Sequence, residues 1–190
     1  MKILSLSTFV DTPDFHNVID AINDASSEDK IAVELKNNYG GATHLGGLLI
    51  NSIKATKATI LLIIDGVVAS TAAFVWMWIH LAKDHGHFSN VNTIIKNNNA
   101  NIVCHRPRNI KGENIGFIEN TKSSEITDSF RKYVKEFDHC FVLLLQKYPL
   151  SKVRLITNTE DLLSIEEAWN FYSSNEDVVI SIEGFDNTIN

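Results

Sequence analysis

An α/β fold built on a mostly parallel sheet is predicted by three features of the sequence. Short β-branched runs alternate with amphipathic segments through the first half of the chain. An unbroken apolar stretch from Ala58 to Ala82 changes character midway, from β-branched to small and then aromatic residues. A long stripe of large apolar residues between Ser124 and Tyr148 recurs every three or four positions. With 190 residues, 44% of them apolar, and neither a repeat nor a linker, the chain is expected to form one domain over residues 1–190.

Taken in order, Ile3 to Phe9 is expected as a strand. Pro13 then opens an amphipathic helix that runs to about Ala25, because proline at a first helical turn loses no hydrogen bond. Ile31 to Leu35 is a second strand, and Tyr39-Gly40-Gly41 a tight turn. Leu45, Leu48, Leu49 and Ile53 fall at helical spacing within 43–53, and Thr59 to Ile64 is the third strand. Asp65-Gly66 is expected to turn the chain into a buried helix from about Ser70. That interruption argues for a strand, a turn and a covered helix rather than a membrane span, although the stretch is long enough to cross a bilayer.

Beyond a polar, His-containing stretch from Lys83 to Asn92, Thr93 to Ile95 and Asn101 to Cys104 form a strand pair around an Asn-rich turn. One amphipathic helix is predicted from about Ser124 to Tyr148, closed by Pro149. Its length exceeds what a small domain covers, so self-association is expected to bury its stripe. A short helix from Ser164 to Phe171 and a strand from Val178 to Ile182 complete the chain.

Composition narrows the function. Seventeen Lys and Arg against twenty-three Asp and Glu leave a net charge of −6, and no basic cluster marks a nucleic-acid binder. Cys104 and Cys140 are too few for a disulfide scaffold and lack zinc spacing, and the start of the chain shows no apolar signal region. A cytoplasmic protein without membrane contact and without a cofactor or metal is expected. His80, His85 and His87 are close in sequence, yet they lack convergent acidic partners for a metal. His44 is expected at a helix start, and Cys104 is expected to point away from His105, because neighbouring strand residues face opposite sides.

Three short segments carry candidate chemistry: Gly40-Gly41 after a strand, Gly66 to Thr71 at a strand-to-helix turn, and Cys104-His105-Arg106-Pro107 at the end of a later strand. A serine in a first helical turn is ordinarily an N-cap. The functional alternative makes Ser70 a nucleophile, with the Gly41 and Thr71 amides placed to hold an oxyanion.

The succession of strand, Gly-Gly turn, helix, strand, then G-x-x-A-S-x-A-A at Gly66 to Ala73, then His-x-Pro at His105 to Pro107, resembles the proteolytic subunit of the Clp protease. The likeness extends from about Ile3 to Ile182. It takes in the long helix, similar to that family's handle, and Leu163-Ser164-Ile165-Glu166-Glu167-Ala168, similar to its late helix start. It implies a ClpP/crotonase-like spiral of β-α-β units and a serine peptidase. Ser70 is then the nucleophile, His105 the general base, and Gly41 and Thr71 the oxyanion-hole donors. It further implies a homo-oligomer of stacked rings acting on short or unfolded polypeptides.

The triad acid falls at Glu160 by the family's register, or at Asp161 one residue later; either carboxylate suits the role. The sequence departs from the pattern in a longer gap between Ser70 and His105, in Phe171-Tyr172-Ser173-Ser174-Asn175 where a glycine is usual, and in having almost no chain before the first strand. That last departure argues against coupling to an ATP-dependent unfoldase. Two other readings stand beside the peptidase. One is a ring subunit of the same fold whose triad has drifted. The other is a crotonase-type acyl-CoA enzyme, for which His105 has no use.

Overall fold

The computed structural model describes residues 1–9, 12–111, 114–118, 127–148, 152–157 and 162–185. The element order is β1 (Lys2–Leu6), α1 (Pro13–Asn23), β2 (Lys30–Asn38), α2 (Thr43–Ala55), β3 (Thr59–Ala69), α3 (Ser70–Asp84), β4 (Val91–Cys104), β5 (Asn109–Lys111), β6 (Asn114–Gly116), α4 (Asp128–Lys147), β7 (Lys152–Leu155), α5 (Ile165–Ser173) and β8 (Val178–Glu183). Six strands form one mixed sheet in the order β1-β2-β3-β4-β8-β7, and β5 pairs with β6 as a separate hairpin. The α/β class follows directly.

The parallel expectation holds for β1 through β4, whose connections carry α1, α2 and α3. It fails at the far edge, where β8 runs antiparallel to β4 and β7 antiparallel to β8. The β7 strand went unread because four residues, Lys-Val-Arg-Leu, are too few for a period to stand out.

Two further differences bend the sheet beside the site. No turn ends the third strand at Asp65-Gly66: β3 continues to Ala69 across a shift of register. Ile64 pairs with Ile95 and Gly66 with Ala100, so Asp65 alone faces residues 96–99 of β4. The expected strand pair around Asn97 is accordingly one long strand with a kink. Asn97 and Asn98 both take φ of 58°, a left-handed conformation that asparagine tolerates better than most residues.

The core lies between the sheet and its helices. Trp76, Phe74, Phe9, Phe15, Phe141 and Tyr172 are among its largest buried side chains. Twenty residues make α4 about 30 Å long. Its apolar stripe, Val134, Phe137, Cys140, Phe141, Leu144 and Leu145, is buried within the chain itself. Phe137 stacks on Phe74 of α3 at 4.1 Å and Phe141 on Tyr172 of α5 at 4.0 Å. The stripe therefore needs no second copy to cover it, which corrects the argument from helix length. Expected helical positions 124–126 lie outside the described residues. No described helix is long and apolar enough to cross a membrane, and the stretch 58–82 resolves into β3 and α3.

Candidate active site at the ends of β3 and β4

Ser70 stands where β3 passes into α3. Ala69 is the N-cap in extended conformation, φ −136° and ψ 160°, and offers no side-chain cap. Ser70 is the first helical residue and takes φ of +54°. A non-glycine residue there costs about 1 to 3 kcal/mol, which the surroundings must hold in place. The ordinary N-cap reading of this serine is thereby corrected: the cap position is one residue earlier, and Ser70 Oγ makes no hydrogen bond among the described residues.

The Gly40-Gly41 turn supplies the opposing wall. Gly40 has φ of +83°, and a Cβ there would lie 2.7 Å from Ser70 Cβ and 2.8 Å from both Ala69 O and Thr71 N. Only glycine lets the turn approach the serine so closely. At Gly41 a Cβ would lie 2.4 Å from Phe9 O. The turn is pinned by Asn38, fully buried at the end of β2, whose Nδ2 donates to Leu6 O at 3.1 Å while its Oδ1 accepts from Gly40 N at 2.9 Å. Phe9 N donates to Gly40 O at 2.9 Å and Ala42 N to Phe9 O at 3.2 Å.

This bonding leaves one amide over. The Gly41 N–H, between two engaged amides, meets no acceptor among the described residues. Thr71, second in α3, belongs to the first helical turn, where amides lack intrahelical acceptors. Its hydroxyl donates to Gly41 O at 2.7 Å, tying the two expected oxyanion donors together. Thr71 follows the serine directly, and Gly41 follows the glycine whose close approach brings the turn against it.

His105 follows β4. Ala69 pairs with Val103, so the adjacent strands, about 4.8 Å apart, bring Ser70 and His105 to the same end of the sheet. Among the described residues no hydrogen bond joins the two side chains. His105 Nδ1 instead lies 2.8 Å from Arg106 O. Burial pushes the imidazole below its ordinary pKa and Arg108 pushes it further, opposed by the Arg106 carbonyl and by Asp177. Cys104, one residue earlier, is buried with Sγ 3.8 Å from Met77 Sδ, and burial raises its thiol pKa. Its sulfur is turned to Met77 of α3.

The segment after β4 is fastened by charges that sequence reasoning did not single out. Arg106 Nε and Nη2 reach Asp138 Oδ1 and Oδ2 of α4 at 2.9 and 2.8 Å, and Nη1 donates to Ser173 O of α5 at 3.0 Å. Its guanidinium also lies 5.8 Å from the Trp169 ring centre and 5.9 Å from that of Tyr172. Arg108 pairs with Asp177 just before β8. Two arginines flanking Pro107 were the available signal, but their partners lie far along the chain. Glu160 and Asp161, the two candidate acids, lie outside the described residues.

The other histidines serve elsewhere. His80 is a core residue, with Nδ1 2.6 Å from Thr93 Oγ1 and Nε2 2.6 Å from Tyr148 OH. His44, at the start of α2, and His85 and His87 beyond α3 are exposed. Among the described residues no group of three or more His, Cys, Asp or Glu converges on a metal position. No family model matches the chain, and no curated protein is similar to it.

Proposed function

We propose that this chain is a serine peptidase of the Clp type. Ser70 attacks a peptide carbonyl as His105 Nε2 takes its proton. The Gly41 and Thr71 amides hold the oxyanion, the protonated imidazole releases the amine, and water then frees the acyl-enzyme. The observation that carries this reading is the conformation of Ser70: a left-handed φ of +54°, an uncommitted hydroxyl, and two amides beside it. Strain of that kind persists where a side chain must be presented rather than merely packed. A Glu160 or Asp161 carboxylate would complete a triad. Short or unfolded peptides are the substrates, and stacked rings of this chain, as in the family it resembles, are the assembly.

A second reading keeps the fold and discards the activity, as a ring subunit whose site has drifted. It is favoured by the lack of a hydrogen bond between Ser70 and His105. Such bonds are, however, often loose until substrate is bound.

Intact mass after incubation with a fluorophosphonate decides between them. One adduct on the wild type, absent in Ser70→Ala and His105→Ala, is the expected outcome. A folded wild type that takes up no reagent would leave the drifted subunit as the better reading.

A further inference from the structure

The clamp around Arg106 has a role that neither packing nor the nucleophile explains. A carbonyl oxygen only accepts, so at 2.8 Å from Arg106 O the His105 Nδ1 must carry the proton. Nε2 is then the ring nitrogen with a lone pair, the one a general base needs. Fixing that tautomer is ordinarily the work of a triad carboxylate. Among the described residues no carboxylate hydrogen bonds to this imidazole. Asp138 is taken up by Arg106 and Asp177 by Arg108, so both of these acids are paired with cations.

We infer that the Arg106 main-chain carbonyl fixes His105 in its Nδ1–H form, and that the Arg106 side chain is the positioning group that holds this carbonyl. The inference rests on His105 being the base. The guanidinium is well suited to the task. It is anchored to two helices at once, bidentate to Asp138 of α4 and hydrogen bonded to Ser173 O at the end of α5, with the Trp169 and Tyr172 rings beside it. Its side chain is 14% exposed and that of Asp138 21%, so water competes weakly for the pair. Pro107 stiffens the next bond by fixing its own φ. A single peptide is thus held against α4 and α5 immediately after the histidine it orients. A neutral carbonyl sets the tautomer and direction of the ring but stabilises an imidazolium less than a carboxylate does. The carbonyl therefore aims the base without itself supplying a charge to strengthen it.

The test combines imidazole nitrogen NMR with the fluorophosphonate reaction, both on the full chain. In the wild type at pH 8, long-range proton–nitrogen correlations should show His105 as the Nδ1–H tautomer. Arg106→Gln should give mixed tautomers and slow adduct formation by at least about tenfold. Asp138→Asn, which keeps the shape of the clamp and weakens its charge, should move both readouts the same way by less. It also serves should the arginine variant fail to fold. A Glu160→Gln/Asp161→Asn double variant should keep the Nδ1–H tautomer, whatever it does to the adduct rate. An Nε2–H tautomer in the wild type, or loss of the Nδ1–H form in the double variant, would overturn the inference. A wild type with the Nδ1–H form but no adduct would instead support the positioning and count against the nucleophile.

Discussion

His80 and His105 are two histidines withdrawn from water, and burial is the leading cause that lowers the pKa of each. What separates them is how their nitrogens are occupied. His80, in the middle of α3, has both filled, one by Thr93 and one by Tyr148, and its ring stacks on Trp76 at 4.6 Å. His105, at the open end of the sheet, has one filled by a backbone carbonyl and the other without a partner among the described residues. A shifted pKa therefore does not by itself mark a functional histidine; the proposed role of His105 rests on its unspent lone pair. Three measurements of stability put this contrast to work.

The largest effect belongs to acid. Burial, with Lys147 and Lys83 nearby, drops His80 from its ordinary 6.5 to about 3. The unfolded chain takes up this proton near its ordinary pKa, while the folded chain refuses it until the pH is far lower. Stability is thus fully present at neutral pH, falls as the pH drops through that window, and levels off below about 3. At pH 4 the loss from this residue alone is about 3 kcal/mol. Urea unfolding at pH 7.5 and 4 should show a smaller difference in His80→Phe than in the wild type. An equal difference would mean that the buried imidazole is not the group refusing the proton.

Smaller is the expected cost of Tyr148→Phe. Tyr148 OH, 2.6 Å from His80 Nε2, satisfies a nitrogen that water cannot reach, and its removal should cost about 1 to 2 kcal/mol. The fluorophosphonate reaction should proceed at the wild-type rate, because this network lies on the core side of α3. Slower labelling in a variant of unchanged stability would show that the two histidines communicate.

Much of this architecture was legible in the sequence, and what was not has physical causes. The alternation of β1 to β3 with α1 to α3 follows from local period and from Pro13, and α5 from its capping box, in which Ser164 Oγ accepts from Glu167 N at 3.2 Å. The continuation of β3 past Gly66 was hidden because pairing with the far side of the kink in β4 compensates for an apparent turn. Cover for α4 comes from Phe74 and Tyr172, whose contacts no local pattern records. The start of α3 at Ser70 and the Gly40-Gly41 turn that meets it were readable from local pattern. The left-handed φ of Ser70 was not, since serine at a helix start more often caps. Nor was the setting of His105, which depends on Asp138 and Ser173, 32 and 67 positions beyond Arg106.

The smallest stability effect is the most informative, and it is expected of His105→Gln. Among the described residues the imidazole contributes one hydrogen bond, to a carbonyl that a glutamine amide can also meet, and leaves no partner stranded on its other side. Its replacement should lower unfolding free energy by less than about 1 kcal/mol while abolishing the fluorophosphonate adduct. A core histidine behaves in the opposite way, losing stability and sparing chemistry. Were His105→Gln as damaging to the fold as the removal of His80, the ring would be packing the junction between β4 and α5. The unspent nitrogen would then be an accident of burial. Near-neutral stability with complete loss of labelling places the residue where a base belongs: held by the fold and not needed by it.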